Sequence, residues 1–243
     1  MGADRKGESW AILAASEMGK GVWLKQRLAE TKPTRLLIWD TNDEYDKAAK
    51  PCASLTDLLR AIAAKSFALR YVPRSRKDKD LRAEFEAWCT IVYHAAESTI
   101  VVEELADVTA PSYAPPAWRK LNTRGRHHQG LTLYWCSQSP AFIDKASLGN
   151  ATHMHVGYLG EPRHRQAAAA HMGCSADDID ALTQGDFIEY VKATKQRTTG
   201  RVSIPGRRAK RPAPIEKPID EASRSIDAAT PSRPRNAPSR SAP

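Results

Sequence analysis

Cysteine is scarce and scattered. The chain has only four, at positions 52, 89, 136 and 174, and no CxxC pair. That excludes a zinc ribbon and a disulfide-dense secreted scaffold, and it fits a reducing compartment. Three of the four sit in apolar surroundings and read as small core residues. Long apolar runs are missing too. No stretch approaches the roughly 20 residues that cross a bilayer, and the opening MGADRKGESW lacks an apolar signal region. A membrane-anchored machine is therefore not expected. Internal repeats are also lacking, which sets aside solenoids and propellers.

Positive charge is in excess. The 243 residues hold 37 Lys and Arg against 28 Asp and Glu, a net charge of +9. An anionic partner is favoured, nucleic acid above all. The excess is uneven. Residues 205–243 contain nine basic and four acidic side chains, a balance of +5, and eight of the sixteen prolines. Large apolar residues nearly vanish there, so this segment cannot offset the entropy of ordering and is expected to be a disordered basic tail. Residues 1–204 are expected to form one folded domain.

Strand and helix signals alternate along that domain. Strands are expected at 10–15, 35–40, 67–72, 99–103, 131–137, 152–159 and 186–191. Helices are expected at 22–30, 55–65, 77–97, 117–123, 162–171 and 176–183. Strands separated by helices imply an α/β fold with a mostly parallel central sheet flanked by helices. Such sheets bind ligands at the carboxyl ends of their strands, which is where the chemically useful residues fall.

Five segments carry those residues. The first runs Ala14, Ala15, Ser16, Glu17, Met18, Gly19, Lys20, Gly21, Val22, between a strand and a helix. That is the setting of a phosphate loop, in which backbone N–H groups at a helix start attract phosphate and a lysine reaches the β- and γ-phosphates of ATP. Ala14 stands where such loops begin with glycine. Gly21 stands where a Ser or Thr hydroxyl normally meets Mg2+, a role Ser16 or water would have to fill. An ordinary strand–turn–helix with a surface lysine explains the segment alone about as well. The second is a β-branched strand ending in Glu103 and Glu104. Glu103 would hold Mg2+ and Glu104 would polarise the attacking water. A buried strand entering an acidic turn is the common alternative, and the functional reading is favoured over it.

The third segment is a strand ending in Ser137 and Gln138, the latter a candidate sensor of the γ-phosphate. The fourth is Arg124, Gly125, Arg126, His127, His128, Gln129, Gly130, whose guanidinium forks suit phosphate. The fifth is a strand closing on Asp40, followed by Glu44 and Tyr45. Taken singly, a polar loop accounts for each of these three. His153 and His155 would share a strand face, but their spacing with His164, His171 and Cys174 matches no tight zinc site. Trp39, Trp88, Trp135 and Phe187 read as core. Trp118 and Tyr113 lie in or beside a loop, where they would either anchor it or meet DNA, a neighbouring subunit or a portal.

In this order the segments resemble the FtsK–HerA superfamily of P-loop ATPases, of the additional-strand, catalytic-glutamate type. Gly125-Arg126-His127 with Gln138 is the most specific part, and the likeness spans roughly residues 8–200. The resemblance implies a homo-hexameric ATPase that moves double-stranded DNA with ATP and Mg2+. It assigns phosphate binding to Lys20, the metal to Glu103, catalysis to Glu104, sensing to Gln138 and an arginine finger to Arg126 or, second, Arg124. The short chain without an anchor resembles the genome-packaging members of phages and related viruses, which act with a capsid or portal vertex in the host cytoplasm or on the virion. Three other readings remain open: a filamentous-phage assembly ATPase similar to zonula-occludens-toxin proteins, a hydrolysis-deficient nucleotide- and DNA-binding structural protein, and a small-molecule phosphotransferase.

Overall fold

The computed structural model describes residues 7–75 and 77–203, so the expected tail lies outside the described residues. In chain order the elements are β1 (Ser9–Leu13), α1 (Lys20–Thr31), β2 (Arg35–Trp39), β3 (Lys50–Pro51), α2 (Leu55–Ala61) and β4 (Phe67–Tyr71). Then come α3 (Asp78–Tyr93), β5 (Thr99–Val102), α4 (Pro116–Lys120), a π-helical turn (Leu121–Gly125), α5 (Arg126–His128) and β6 (Thr132–Ser137). The last are α6 (Lys145–Asn150), β7 (His153–Val156), α7 (Pro162–Met172), α8 (Ala176–Asp180), β8 (Asp186–Val191) and β9 (Gln196–Arg201). The strands form one sheet in the order β3-β4-β2-β5-β6-β1-β7-β8-β9. Pairing is parallel from β3 through β7, and β8 and β9 add an antiparallel hairpin at the edge. This is the α/β architecture, a mostly parallel central sheet flanked by helices, that the element pattern predicts.

The central strands are buried on both faces, which explains their continuous apolar character. Residues alternate between two cores along each strand. From β1, Ala11 and Leu13 join one core with Leu37, Trp39, Phe85, Trp88 and Trp118, beneath α3 and α4. Trp10 and Ile12 join the other with Trp23, Leu24 and Leu28 of α1, Ile38 and Tyr134. Cys89 and Cys136 are buried, whereas Cys52 and Cys174 are half-buried. Trp118 is fully buried and its Nε1 donates to Ser147 Oγ at 2.9 Å. It anchors the chain under α3 and is not available to DNA. Tyr113 is exposed. No helix among the described residues is long and apolar enough to cross a membrane.

Some boundaries differ from expectation. Helix α1 begins at Lys20, immediately after the left-handed Gly19, because the phosphate-loop turn feeds directly into it. The strand expected over 152–159 is limited to His153–Val156, since beyond it the chain turns inward to brace the loop after β1. Strands β3 and β9 were not expected. Both are polar edge strands with little of the apolar patterning that marks a strand.

Candidate nucleotide site

Because β1, β2, β5 and β6 run parallel, their carboxyl ends lie along one edge of the sheet, and the side chains of Lys20, Glu103 and Glu104 meet there with the backbone of Gln138. The loop after β1 is braced from several sides. The Ala14 N–H donates to the Ser137 carbonyl at 3.3 Å, and the Ala15 N–H to the Tyr158 carbonyl at 2.8 Å. The Gln184 side chain donates to the Glu17 carbonyl at 2.8 Å, and the Gly185 N–H to the Met18 carbonyl at 3.2 Å. Positive φ falls at Glu17 (61°) and Gly19 (103°), not at Ala14. The alanine in place of the usual first glycine therefore imposes no backbone strain. Ser16 and Glu17 are exposed, Ala15, Met18, Gly21 and Val22 half-buried.

Lys20 opens α1 with its side chain turned inward, only 8% exposed. Its Nζ lies 3.9 Å from Glu103 Oε1 and 3.6 Å from Glu104 Oε2. These separations are too long for tight ion pairs, so the ammonium sits in the field of both acids without being consumed by either. Glu103 is 4% exposed, and its Oε2 accepts from the Tyr45 hydroxyl at 2.6 Å. Burial pushes its carboxyl above the usual range, and Lys20 and then Tyr45 oppose that rise. Glu104 follows in a left-handed conformation, φ 48°. Its carboxylate accepts from Ser137 Oγ at 2.6 Å and from the Gln138 N–H at 3.2 Å. The exposed Gln138 is thereby wired to Glu104 through its backbone. Glu17, Asp43 and Glu104 are all left-handed non-glycine residues on this edge, each costing on the order of 1 kcal/mol.

Sequence reasoning passed over Asp107 and the part played by Ser137. Asp107 is pushed up to about 6 by burial and then by the neighbouring Glu104 and Asp78. No spacing rule identifies it, since a one-turn 3-10 helix, Leu105–Asp107, places it. Ser137 could have been found from its position just before Gln138.

Arg124 and Arg126 are not part of this cluster. The Arg126 carbonyl accepts from the Gly7 N–H, and the Gly125 carbonyl from the Leu131 N–H. Both contacts lie before β1 and β6 begin, at the amino edge of the sheet. At about 3.3 Å per strand residue, that edge is roughly 20 Å from the phosphate loop. Arg124 is exposed, and half-buried Arg126 places Nη2 2.9 Å from His127 Nε2. Neither arginine is placed beside the loop after β1 of its own chain.

A divalent cation fits the acidic cluster electrostatically. One lysine faces Glu103 and Glu104, leaving the pocket net negative, so nucleotide phosphates need a further positive charge to enter. Among the described residues no group of three or more His, Cys, Asp or Glu is arranged to hold a metal by itself. Mg2+ does not require one: it is commonly held by one or two carboxylates with phosphate oxygens and water. Glu103 Oε2 is taken by the Tyr45 hydroxyl, and Oε1 lies on the Lys20 side. His153 and His155 instead stack on Trp10 and Trp23, with ring centroids 4.2 Å apart in each pair.

No family model matches the chain. In sequence it is similar to protein P9 of Pseudoalteromonas phage PM2, with 27% identity over 176 residues, covering 70% of this chain and 78% of that protein. In structure it is similar to the genome-packaging NTPase B204 of Sulfolobus turreted icosahedral virus 2 in complex with AMPPCP. That match has a TM-score of 0.68 and 16% identity and covers 82% of this chain and 99% of the other. It is also similar to VirB4 of Thermoanaerobacter pseudethanolicus, with a TM-score of 0.63 and 12% identity over 85% of this chain and 92% of that one. At such identities the structural likeness shows the fold. The resemblance read from the order of motifs is borne out at that level.

Proposed function

We propose that the chain is an ATP-driven motor on double-stranded DNA that packages a phage genome into a capsid. The observation that carries the reading is the convergence of Lys20, Glu103, Glu104 and Gln138 on one sheet edge. Lys20 binds the β- and γ-phosphates. Glu103 holds Mg2+, which when bound neutralises charge on the phosphate oxygens. Glu104 orients and polarises the attacking water, and Gln138 reports the γ-phosphate. Because Gln138 donates its N–H to Glu104, movement of the sensor shifts the acid as well.

The placement of Arg126 at the amino edge, roughly 20 Å of strand rise from its own phosphate loop, is consistent with a ring. In a closed head-to-tail assembly the amino edge of one copy meets the carboxyl edge of the next. Arg126, with Arg124 as the second choice, then stabilises transition-state charge on the neighbour's γ-phosphate. The working unit is a homo-hexamer on DNA at a capsid or portal vertex, in the host cytoplasm and then on the virion. Grip on DNA comes through phosphates and is independent of sequence. The zonula-occludens-toxin-like and phosphotransferase readings have no observation favouring them over this one.

A mixing experiment tests the ring. Arg126→Ala keeps its phosphate loop but lacks the finger; Lys20→Ala has the reverse defect. Each alone is expected to hydrolyse no ATP and to displace no third strand from a DNA triplex. Mixed in equal amounts, they are expected to recover a measurable fraction of both activities, since some interfaces pair an intact loop with an intact finger. Absence of recovery, with wild-type subunits shown to exchange, would count against a finger supplied by the neighbour.

Gly21 offers a second test. A Cβ built there meets nothing within 4 Å, so a serine hydroxyl can be added without a clash, and leaving glycine also favours the helix. Gly21→Ser is expected to lower the Mg2+ concentration for half-maximal hydrolysis several-fold, roughly the worth of one added hydrogen-bonding oxygen. A magnesium titration that leaves this midpoint unchanged would show that another ligand already fills the place.

A further inference from the structure

We infer that Tyr45 is the positioning residue for Glu103, and that the turn after β2 is built to present it. The inference rests on the nucleotide-site reading above. A glutamate at the end of β5 is longer than an aspartate and has an extra torsion, so its carboxylate needs an external restraint to face one direction. The structure supplies two ties from a single turn. Thr41 Oγ1 donates to the Glu103 carbonyl at 3.1 Å, and the Tyr45 hydroxyl donates to Glu103 Oε2 at 2.6 Å. The ionised carboxylate accepts only, so the phenol fixes one oxygen and leaves Oε1 toward Lys20.

Tyr45 is itself fixed. Its ring is 1% exposed within the core beneath α1. Its N–H donates to Asp40 Oδ2 at 3.1 Å, and the Glu44 N–H donates to Asp40 Oδ1 at 2.9 Å. Asp40, fully buried, is held by Arg70 of β4 at 3.1 Å, and Arg70 also pairs with Asp43. The path from β4 to the acid is continuous: Arg70, Asp40, the turn backbone, Tyr45, Glu103. A buried tyrosine needs some acceptor. The second tie from Thr41 and the dedicated carboxylate under the turn show more than an incidental partner. Asp40 with Glu44 and Tyr45, which sequence alone left as a capped turn, becomes the frame of the metal-facing acid.

The test is binding of a fluorescent ADP analogue, titrated in EDTA and then with Mg2+, to the full chain. Wild type is expected to bind more tightly with Mg2+. Tyr45→Phe is expected to bind within about two-fold of wild type in EDTA. Its Mg2+ midpoint for tightening is expected to rise about ten-fold, the scale of one hydrogen bond to a charged group. If the midpoint of folded Tyr45→Phe equals that of wild type, the inference is overturned while the nucleotide site stands. Equal weakening in EDTA and in Mg2+ also overturns it, since that is general loosening. A wild type that binds no nucleotide overturns the site and the inference together. Should Tyr45→Phe show no cooperative melting transition, Asp40→Asn is judged by the same criteria. It keeps the side-chain shape but removes one acceptor from beneath the turn.

Discussion

Glu104→Gln is expected to reduce single-turnover ATP hydrolysis by about a hundred- to ten-thousand-fold, the usual worth of a positioned acid or base, while nucleotide affinity changes little. The amide has the size of the carboxylate and can still accept from Ser137 Oγ or the Gln138 N–H. The left-handed turn at residue 104 is therefore retained. What is lost is the charge that polarises water. Quenched-flow hydrolysis of labelled ATP, paired with analogue binding, separates the two effects. Hydrolysis within about five-fold of wild type would reassign the role, with Asp107 beside Glu104 the next acid in line.

Lys20→Ala is expected to weaken nucleotide binding by about ten- to a hundred-fold, the cost of losing charge-assisted contacts to phosphate. A second consequence is seen without nucleotide. Lys20 is the largest influence opposing the burial-driven rise of the Glu103 carboxyl, and removing it lets that carboxyl rise further. An acid raised in the folded state binds its proton more tightly there than in the unfolded chain. The destabilisation is then small below the unfolded pKa, grows as pH rises toward the folded one, and is complete above it. At neutral pH the variant is expected to lose on the order of 2–3 kcal/mol, less than a tight buried pair because the contacts are 3.6 and 3.9 Å. Denaturant melts of both proteins from pH 4 to pH 8 check this: the gap between them should widen with pH. A constant gap would mean the lysine acts through packing alone.

The parts of the fold legible in the sequence were those where one physical demand dominates. Residues 36–39 and 100–102 lie between two cores, so continuous apolar character marks them as central strands. Glu103, Glu104 and Gln138 were found because a polar residue ending such a strand falls at the carboxyl edge. Lys20 was not singled out by its own turn, which an ordinary strand–turn–helix explains as well; the order of the other segments along the chain drew attention to it. The illegible parts depend on long-range placement. Tyr45 and Glu103 meet across 58 positions, and no local pattern announces the pair. The polar edge strand β9 is placed by its hairpin with β8; its sequence, QRTTGR, has no apolar stripe. The contacts of Glu104 with Ser137 and Gln138 bring together residues more than 30 positions apart, and the upward shift of Asp107 comes first from burial and then from Glu104 and Asp78. The spacing of Arg126 gave its order in the chain. Its position at the amino edge of the sheet needed the topology.

The central claim is that this sheet edge hydrolyses ATP in response to double-stranded DNA. Steady-state hydrolysis by the wild type, with and without linear double-stranded DNA and with Lys20→Ala as the blank, tests it most directly. The account predicts turnover that DNA raises several-fold and that Lys20→Ala abolishes in both conditions. Turnover that persists in Lys20→Ala, or a wild type that binds nucleotide yet hydrolyses none with DNA present, would contradict it.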